Sequence, residues 1–529
     1  MAITNITQDG YSALLLLAAG LGVYLLNLAA YRLFLSPLAG VPGPKLAALT
    51  AWYEFYWDCP AHGHFMFKIE EMHKKYGPIV RINPWEVHIS DPAFWDVFYT
   101  RSKLDKDSWY YRAFGDNGGT VGTVTWEHHR LRRGAMAKFF SVANVAKLEP
   151  KVLQRVRKLC DRVQEHRDSG AVVDISNAYR CFATDVVSAY VAPHARDFLN
   201  APDFAATFNR VLRDFSGLML WHRHFPVVFQ IMDSIPRSLI AMIDSTGANL
   251  AVVDNQANLQ REAVTVVERK GIPTDACSPS ILDAIYTSPL LGPADKTVTR
   301  MFAETQALLG AGTETTGNTL SVFTYHVLSN PAILRNLKDE LDDSNLTLGV
   351  DSDGYLCHNL LDNLPYLQAC IKEALRVSPG VTGRLPRLSR TEVISYTSPA
   401  GQTYAFPPGT VISMSSRDAH YDAAIFPNPD SFLPERWIPT TTTIPGRQLS
   451  STPEQLHAME RAFVPFGRGV RGCLGIELAK MELTLLTGNM FRMFDFKLYK
   501  TTERDVSVEY DFFAPFGPKD SKGVRVLAM

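Results

Sequence analysis

Several things are scarce in this chain of 529 residues, and each scarcity narrows what it can do. Neither sign of charge is in excess. Against 53 Lys and Arg stand 54 Asp and Glu, so no overall field draws the protein to nucleic acid. Cysteine is sparse: seven residues, at 59, 160, 181, 277, 357, 370 and 473, with no C-x-x-C and no regular spacing. That argues against a disulfide framework, a zinc ribbon and a covalently attached cofactor, and suits a reducing, cytosol-facing compartment. Nucleotide signatures are lacking too. The run Gly115-Asp116-Asn117-Gly118-Gly119-Thr120-Val121-Gly122 has no Gly-Lys-Ser/Thr, and Gly310-Ala311-Gly312 lacks the spacing of a dinucleotide fingerprint. The first reads instead as a mobile loop over a ligand pocket, and no nicotinamide or flavin segment is evident.

What is present begins at the N-terminus. From Ser12 to Leu35 the only charged side chain is Arg32, and Ala13 to Tyr31 alone is long enough to span most of a bilayer as a helix. Residues 1–10 carry Asp9 and no basic n-region, unlike a secretory signal. The expectation is a membrane anchor at residues 1–36, with its helix at about 12–35, and everything after Arg32 on the cytoplasmic side. The rival reading is a buried core helix. Ser36-Pro37 and Val41-Pro42-Gly43-Pro44 would make a stiff, non-helical hinge.

Beyond the hinge, 46% apolar and 20% charged residues are ordinary for a protein with a sizeable core. Tyr76 to Asp91 partly alternates and predicts a small β-region. Helical patterns dominate 127–270, and after a polar break near Gly271 to Pro279 they resume from Thr297 to Arg376. Residues 384–412 turn strand-like, with Phe406-Pro407-Pro408-Gly409-Thr410 as a turn, and Thr440 to Ser451 is a Thr- and Ser-rich loop. With no internal repeat, residues 37–529 read as one mainly α unit with small β-sheets.

The densest chemistry lies around Cys473. Phe466-Gly467-Arg468-Gly469-Val470-Arg471-Gly472-Cys473-Leu474-Gly475 reads Phe-x-x-Gly-x-Arg-x-Cys-x-Gly, and a helical run from Ile476 to Met493 follows at once. Its glycines allow tight turns and close backbone approach to a flat ligand. Backbone N–H groups and the helix start can lower the thiol pKa, and Arg471 can pair with a carboxylate. The plain alternative is a structural cysteine in a glycine-rich loop. The stretch resembles the haem-binding loop of the cytochrome P450 superfamily. That resemblance implies haem b bound through an axial Cys473 thiolate, with Phe466 and Gly475 shaping the loop and Arg471 on a haem propionate.

Other segments extend the resemblance from Pro42 to Met529. Ala311-Gly312-Thr313-Glu314-Thr315-Thr316 places a glycine and hydroxyls inside a helical pattern, which is unfavourable unless the helix opens locally over a ligand. In the family, the positions matched by Thr315 and Glu314 stabilise bound oxygen and deliver protons through water. Glu373-Ala374-Leu375-Arg376 puts an acid and a base on one helical face. By resemblance, Glu373, Arg376 and Arg436 of Pro434-Glu435-Arg436-Trp437 form a buried structural network behind the haem. Trp126-Glu127-His128-His129-Arg130 resembles the Trp-x-x-x-Arg element on a propionate, and Arg387 matches another propionate position. The basic run Arg130, Arg132, Arg133 and Lys138 reads either as a solvated helix face or as a docking patch for an acidic electron donor. His128 and His129 lack partners at metal-ligand spacing and read as surface residues.

The implied activity is that of a haem-thiolate monooxygenase. It inserts one atom of O2 into an apolar small molecule, with electrons from a separate NADPH-cytochrome P450 reductase and cytochrome b5 as a further donor. A narrower resemblance is to fungal microsomal enzymes of secondary metabolism, similar to trichodiene oxygenase. It rests on Pro42-Gly43-Pro44-Lys45-Leu46-Ala47-Ala48, on Met72 through Arg81, and on Arg130-Leu131-Arg132-Arg133-Gly134. It implies the endoplasmic reticulum membrane, contact with lipid, and a terpenoid or polyketide substrate. Expected pocket walls are the 112–125 loop, about 205–235, Ala307–Thr315 and Phe512–Phe516, with Phe215, Trp221, Phe225 and Phe513 facing the ligand. Two rival activities remain: a P450-fold isomerase or dehydratase that uses no O2, and a non-catalytic, membrane-anchored haem-binding protein.

Overall fold

The computed structural model describes residues 2–529 apart from 102, 116–118, 193–195, 274–278, 343–348 and 440–450. Residues 116–118 of the glycine-rich run, most of the break after Gly271 and nearly all of the Thr/Ser-rich loop therefore lie outside the described residues, while Gly119–Gly122 form a helical turn in which buried Thr120 donates to Glu304 (2.9 Å), correcting their reading as a mobile loop. The chain opens with helix α1 (Ala2–Ala30), closed by one π-helical turn, Tyr31–Leu35. Residues Ala13–Leu35 are apolar and long enough to cross a membrane, and that stretch is not buried against the rest of the protein. The helix starts earlier than the sequence pattern predicts, because no proline interrupts the polar first turns.

The hinge is pinned rather than free. Arg81 N–H donates to Pro42 O (2.8 Å), and the Arg81 guanidinium donates to Arg32 O (2.6 Å). At Gly43 a Cβ would sit 2.5 Å from Arg81 O, so only glycine lets the hinge lie against the strand. The aromatic helix α2 (Trp52–Asp58) and then α3 (Phe65–Tyr76) follow, and α3 buries Phe65, Ile69 and Met72 against Val80 and Ile82.

Both predicted β-regions form, and they pair with each other. Strands β1 (Ile79–Arg81), β2 (Glu86–Ile89), β3 (Asp105–Lys106), β5 (Arg387–Leu388) and β8 (Val411–Ser413) make one sheet in the order β1-β2-β8-β5-β3. Its β2–β8 pair is parallel, with Val87 opposite Ile412. Strands β6 (Ile394–Thr397) and β7 (Thr403–Phe406) form a hairpin, and the turn after it carries Gly409 at φ +88°. β4 (Val173–Asp174), β12 (Arg525–Ala528) and β9 (Phe496–Leu498) make a three-stranded sheet, and β10 (Tyr510–Phe512) pairs with β11 (Ala514–Phe516).

The rest is helical: α4 (Trp126–Ala137), α5 (Glu149–Ser169), α6 (Ile175–Val191), α7 (Ala206–His224), α8 (Ala248–Glu268), α9 (Val298–Ser329), α10 (Pro365–Val377), α11 (Ser416–His420) and α12 (Ile476–Met493) position the site. The 32-residue α9 runs through the centre, capped by the Thr297 side chain, which accepts from Arg300 N–H. It does not open locally, contrary to expectation. Thr315, Thr319 and Ser321 hydroxyls each donate to the carbonyl four residues back, so the mid-helix polar groups are satisfied without breaking the ladder. Met301, Leu320, Phe323 and Val327 bury one stripe of α9 in the main core with residues of α5, α6, α10 and α12.

Candidate functional site

Cys473 lies deep within the protein and yet keeps accessible surface, as a residue facing an internal space does. Its loop is tied by short backbone bonds: Cys473 N–H to Phe466 O (2.8 Å) and Gly472 N–H to Gly469 O (3.0 Å). Gly469, at φ +71°, could not carry a side chain, since a Cβ would lie 2.1 Å from Tyr99 O. Gly475 precedes α12 and donates its N–H to the Cys473 sulfur. Arg133 of α4 donates to Gly472 O (2.7 Å) and adds positive charge near the thiol. Burial still raises the thiol pKa, with the Gly475 N–H and Arg133 opposing it. A thiolate here is thus held chiefly by what it ligates, because a coordinating metal deprotonates a thiol outright.

The middle of α9 is open in the same way. Gly310 and Ala311 are exposed between buried turns, and a Cβ on Gly310 would meet nothing within 4 Å. Leu308, Leu309, Phe466 and Leu474 all pack, half-buried, on one core. Further along, α12 meets α9 where the Glu482 carboxyl bonds the Thr316 hydroxyl.

Beside the loop lies a group of cations drawn from four segments: buried Lys106 of β3 and Arg387 of β5, and half-buried Arg133 of α4 and Arg471, with buried His129 of α4 among them. Burial first, and then Arg471, Lys106, Arg133 and Arg387, push His129 down to about 2. Burial, with Arg387 and Arg471, holds Lys106 far below the usual ammonium range, and burial with Arg387 lowers Arg471 to about 10. Arg387 donates to Tyr111 OH (2.6 Å), Lys106 to Val121 O, and Arg471 to Thr123 O (2.9 Å) and Val124 O (2.7 Å). None of these acceptors is a carboxylate, Asp105, which favours the Arg471 charge, is itself bound by Arg390 (2.8 Å), and among the described residues Arg471 Nε has no partner. Buried positive charge left unneutralised is unfavourable unless an anion completes it. A carboxylated, flat cofactor between Cys473 and α9 meets that requirement, so the residues present fit haem.

Sequence reasoning placed Arg387 and Arg471 here but missed Lys106, Arg133 and His129. His129 is buried, which corrects its reading as a surface residue, and His128 is bound to Asp295 (2.9 Å). The basic run divides likewise. Arg132 turns in to Asp295 (2.7 Å), Arg133 to the cysteine loop, and only Arg130 and Lys138 stay exposed. The Arg130 guanidinium lies 5.9 Å from the Trp126 ring centre.

Thr315 Oγ1 donates to Ala311 O (2.6 Å), and Gly380 packs so closely that a Cβ there would be 2.9 Å from Thr315 Cβ. Glu314 accepts two bonds from Arg180 of α6 (2.7 and 2.9 Å). Burial opposes the Arg180 charge, and Glu314 more than restores it. Glu373 accepts from Arg376 (2.8 and 2.9 Å), Arg436 (3.1 Å), Leu433 N–H (2.9 Å) and Trp437 Nε1 (2.8 Å), all buried or nearly so. Two expected pocket residues lie elsewhere. Trp221 and Phe225 pack on Phe55 of α2 (ring centres 5.8 and 5.4 Å), at a surface where Trp52 is 63% exposed. Phe513 stacks edge-on to Phe114 (4.9 Å).

Comparison with known proteins agrees with this arrangement. The cytochrome P450 family description matches residues 44–514. A cytochrome P450 monooxygenase of Sordaria araneosa is 37% identical over 519 residues, 95% of each chain. A tryptophan 6-hydroxylase of Fusarium equiseti is 37% identical over 506 residues, 94% of each chain. A fusicoccadiene C-8 hydroxylase of Phomopsis amygdali is 35% identical over 512 residues, 94% of this chain and 92% of the relative. With the cysteine loop, the cation cluster and the open centre of α9 in one structure, the chain belongs to the cytochrome P450 family, as a fungal monooxygenase of the secondary-metabolism type that binds haem through a cysteine thiolate.

Proposed function

We propose that Cys473 is the axial thiolate ligand and that this enzyme hydroxylates an apolar terpenoid or polyketide intermediate. The observation that carries the reading is the Cys473 thiol with accessible surface beside a cation cluster whose own hydrogen bonds reach no carboxylate. Arg387, Arg471, Trp126 and Arg130 bind the haem propionates, with Lys106 and His129 completing the cluster, and Phe466 and Gly475 shape the thiolate's surroundings. When bound, thiolate-ligated haem supplies the O–O cleavage and C–H oxidation that no side chain can perform.

The chain's own residues bind, orient and move protons. Thr315 Oγ1 turns from Ala311 O to donate into the cavity. Glu314, held by two hydrogen bonds from Arg180, passes protons on through water at its carboxylate oxygens. Glu373, Arg376 and Arg436 hold the backbone behind the cofactor. Phe114, Phe513, Leu308 and Leu309 give the substrate an apolar wall and exclude water.

Residues 1–36 form the anchor and 37–529 the catalytic unit, in the endoplasmic reticulum membrane and facing the cytosol, as the charge asymmetry around Arg32 supports. Exposed Leu46, Trp52 and Tyr56, just past the end of the anchor, extend its contact with lipid. NADPH-cytochrome P450 reductase, with cytochrome b5, delivers electrons to a face bearing Lys138.

The test is a CO-difference spectrum of the dithionite-reduced protein, wild type against Cys473→Ser, followed by titration with terpenes, polyketides and indoles. A band at about 450 nm in the wild type alone, with a spin shift on terpene or polyketide, supports the reading. A band retained by Cys473→Ser refutes the ligand. A response to indoles only refutes the substrate class. Turnover without O2 consumption refutes hydroxylation.

A further inference from the structure

Away from the haem site, three side chains from three elements meet: His73 of α3, His88 of β2 and Asp418 of α11. His73 Nδ1 lies 2.8 Å from Gly77 O, a pure acceptor, so Nδ1 carries the proton and Nε2 presents a bare lone pair. That lone pair faces His88 Nδ1 at 2.8 Å, and His88 Nδ1 is 3.7 Å from Asp418 Oδ2. The three candidate ligand atoms lie within 4.8 Å of one another.

A plain hydrogen-bonded core pair accounts for the two histidines but not for Asp418. If His88 Nδ1–H donates to His73, the Asp418 carboxylate is left buried, and its Oδ2 has no hydrogen-bond partner. His88 Nε2 has none either. An unsatisfied buried carboxylate costs several kcal/mol, so either it takes up a proton or something positive pairs with it. Arg417 is itself engaged by Glu70 (2.7 Å), so it is not free to serve Asp418.

We propose that His73, His88 and Asp418 form a zinc-type divalent cation site, holding the metal through His73 Nε2, His88 Nδ1 and Asp418 Oδ2. Two imidazoles and a carboxylate are borderline ligands suited to Zn2+, and the fourth position is filled by water. With bonds of about 2.0–2.2 Å, tetrahedral ligand atoms stand roughly 3.3 Å apart. The 2.8 Å and 3.7 Å separations straddle that value and the third pair lies within 4.8 Å, so seating the ion draws the three side chains together by up to about an ångström. Gly77 O already supplies the outer partner that fixes the His73 tautomer. Access is through a small cleft lined by His88, Ser415, Asp418, Asp58, Asp511 and Arg384. Two cations also line it, Arg384 and Arg223, and each is paired there: Arg384 with Glu54 and Glu86 (2.5 and 2.7 Å), and Arg223 with Asp58 (3.1 Å).

The ion would stitch α3, β2 and α11 together. Helix α11 also carries His420, whose Nδ1 donates to Arg376 O (3.1 Å) and whose Nε2 accepts from Val464 N–H (2.9 Å). Metal binding therefore rigidifies a helix that leans on the network behind the cysteine loop.

The experiment uses the full-length holoenzyme, purified without a histidine tag, stripped with EDTA and titrated with Zn2+ alone. The expected result is one Zn2+ per chain beyond the haem iron, an N/O-only zinc absorption-edge spectrum with two imidazoles, and a rise in melting temperature. Asp418→Asn, near in shape, should weaken Zn2+ binding by about tenfold or more and abolish the thermal rise, while its CO band stays as in wild type. His88→Gln tests the same site independently of whether Asp418→Asn folds. No zinc bound by the wild type, zinc bound through sulfur, or equal binding by Asp418→Asn or His88→Gln overturns the proposal.

Discussion

Replacing Glu373 by Gln tests whether the buried network behind the haem holds the cysteine loop in place. One carboxylate accepts five hydrogen bonds there, from Arg376 twice, Arg436, Trp437 and the Leu433 backbone. Glutamine keeps the shape, removes the charge and turns one acceptor into a donor that faces other donors. Two buried guanidiniums then lack a counter-charge, although Arg376 still donates to the carbonyls of His420, Pro429 and Ser431. Breaking a buried pair from one side costs about 3–5 kcal/mol. Spread over a chain of 529 residues, that moves Tm by only about 1 °C per kcal/mol, so global melting is a blunt readout. The local one is sharper. From Arg376 the path runs through His420 to Val464, and two residues on, Phe466 O holds Cys473 N–H. If opening of this path exposes the thiolate, ~4 kcal/mol raises the open population as much as a thousandfold. The assay is the rate at which the reduced CO band moves from about 450 nm to about 420 nm in detergent. Glu373→Asp, which keeps the charge and loses reach, should fall between. A Glu373→Gln protein with wild-type haem content and wild-type band lifetime would refute the reasoning.

Thr315→Ala should still bind haem and substrate but release NADPH-derived electrons as peroxide, measured as the ratio of peroxide to product; unchanged coupling removes Thr315 from proton delivery. Deleting residues 1–36 should move the protein from the membrane pellet toward the supernatant of a carbonate wash, and the exposed Leu46, Trp52 and Tyr56 set how complete that release is. Glu482 gives a pH prediction. Burial lifts its pKa from 4.5 to about 8 against the Thr316 hydroxyl, so the folded state binds the extra proton between those values. Stability is therefore fully present at the acid end and falls as pH rises toward 8. Glu482→Gln, which mimics the protonated form, should flatten this slope in thermal inactivation followed from the acid side up to about pH 8. An unchanged slope would place the titration elsewhere.

What the sequence made legible was what is local along the chain. The spacing from Phe466 to Gly475, the hydroxyls of 311–316 and the Glu373–Arg376 step each lie within one loop or one helix face, and the structure returns each as a loop or face. The β-regions at 76–91 and 384–412 were visible separately, but nothing in either announced that Val87 lies opposite Ile412. Long-range assembly accounts for the misses. Trp221 and Phe225 fit an amphipathic helix whichever side they face, and only the position of α2 shows that Phe55 takes them at an outer surface. His129 reads as surface because no partner stands at metal-ligand spacing along the chain, and only the fold shows it buried between exposed Glu127 and Arg130.

The cation cluster carries the deeper form of the same lesson. Lys106, Arg133, Arg387 and Arg471 come from segments far apart in sequence, and each taken singly is an ordinary basic residue. Only their convergence is unusual, because like charges gathered in a low-dielectric interior repel by several kcal/mol unless an anion joins them. The fold therefore stores electrostatic cost at the place where we propose that the carboxylated cofactor docks. Binding of that cofactor relieves it, so holoprotein should exceed apoprotein in stability by more than the Cys473 bond alone supplies. Arg471→Ala tests this. It removes part of the repulsion along with two carbonyl bonds, so it should lower haem retention, scored by haem per chain after gel filtration, by more than it lowers apoprotein stability. Equal losses in both would mean that Arg471 serves only to hold Thr123 and Val124.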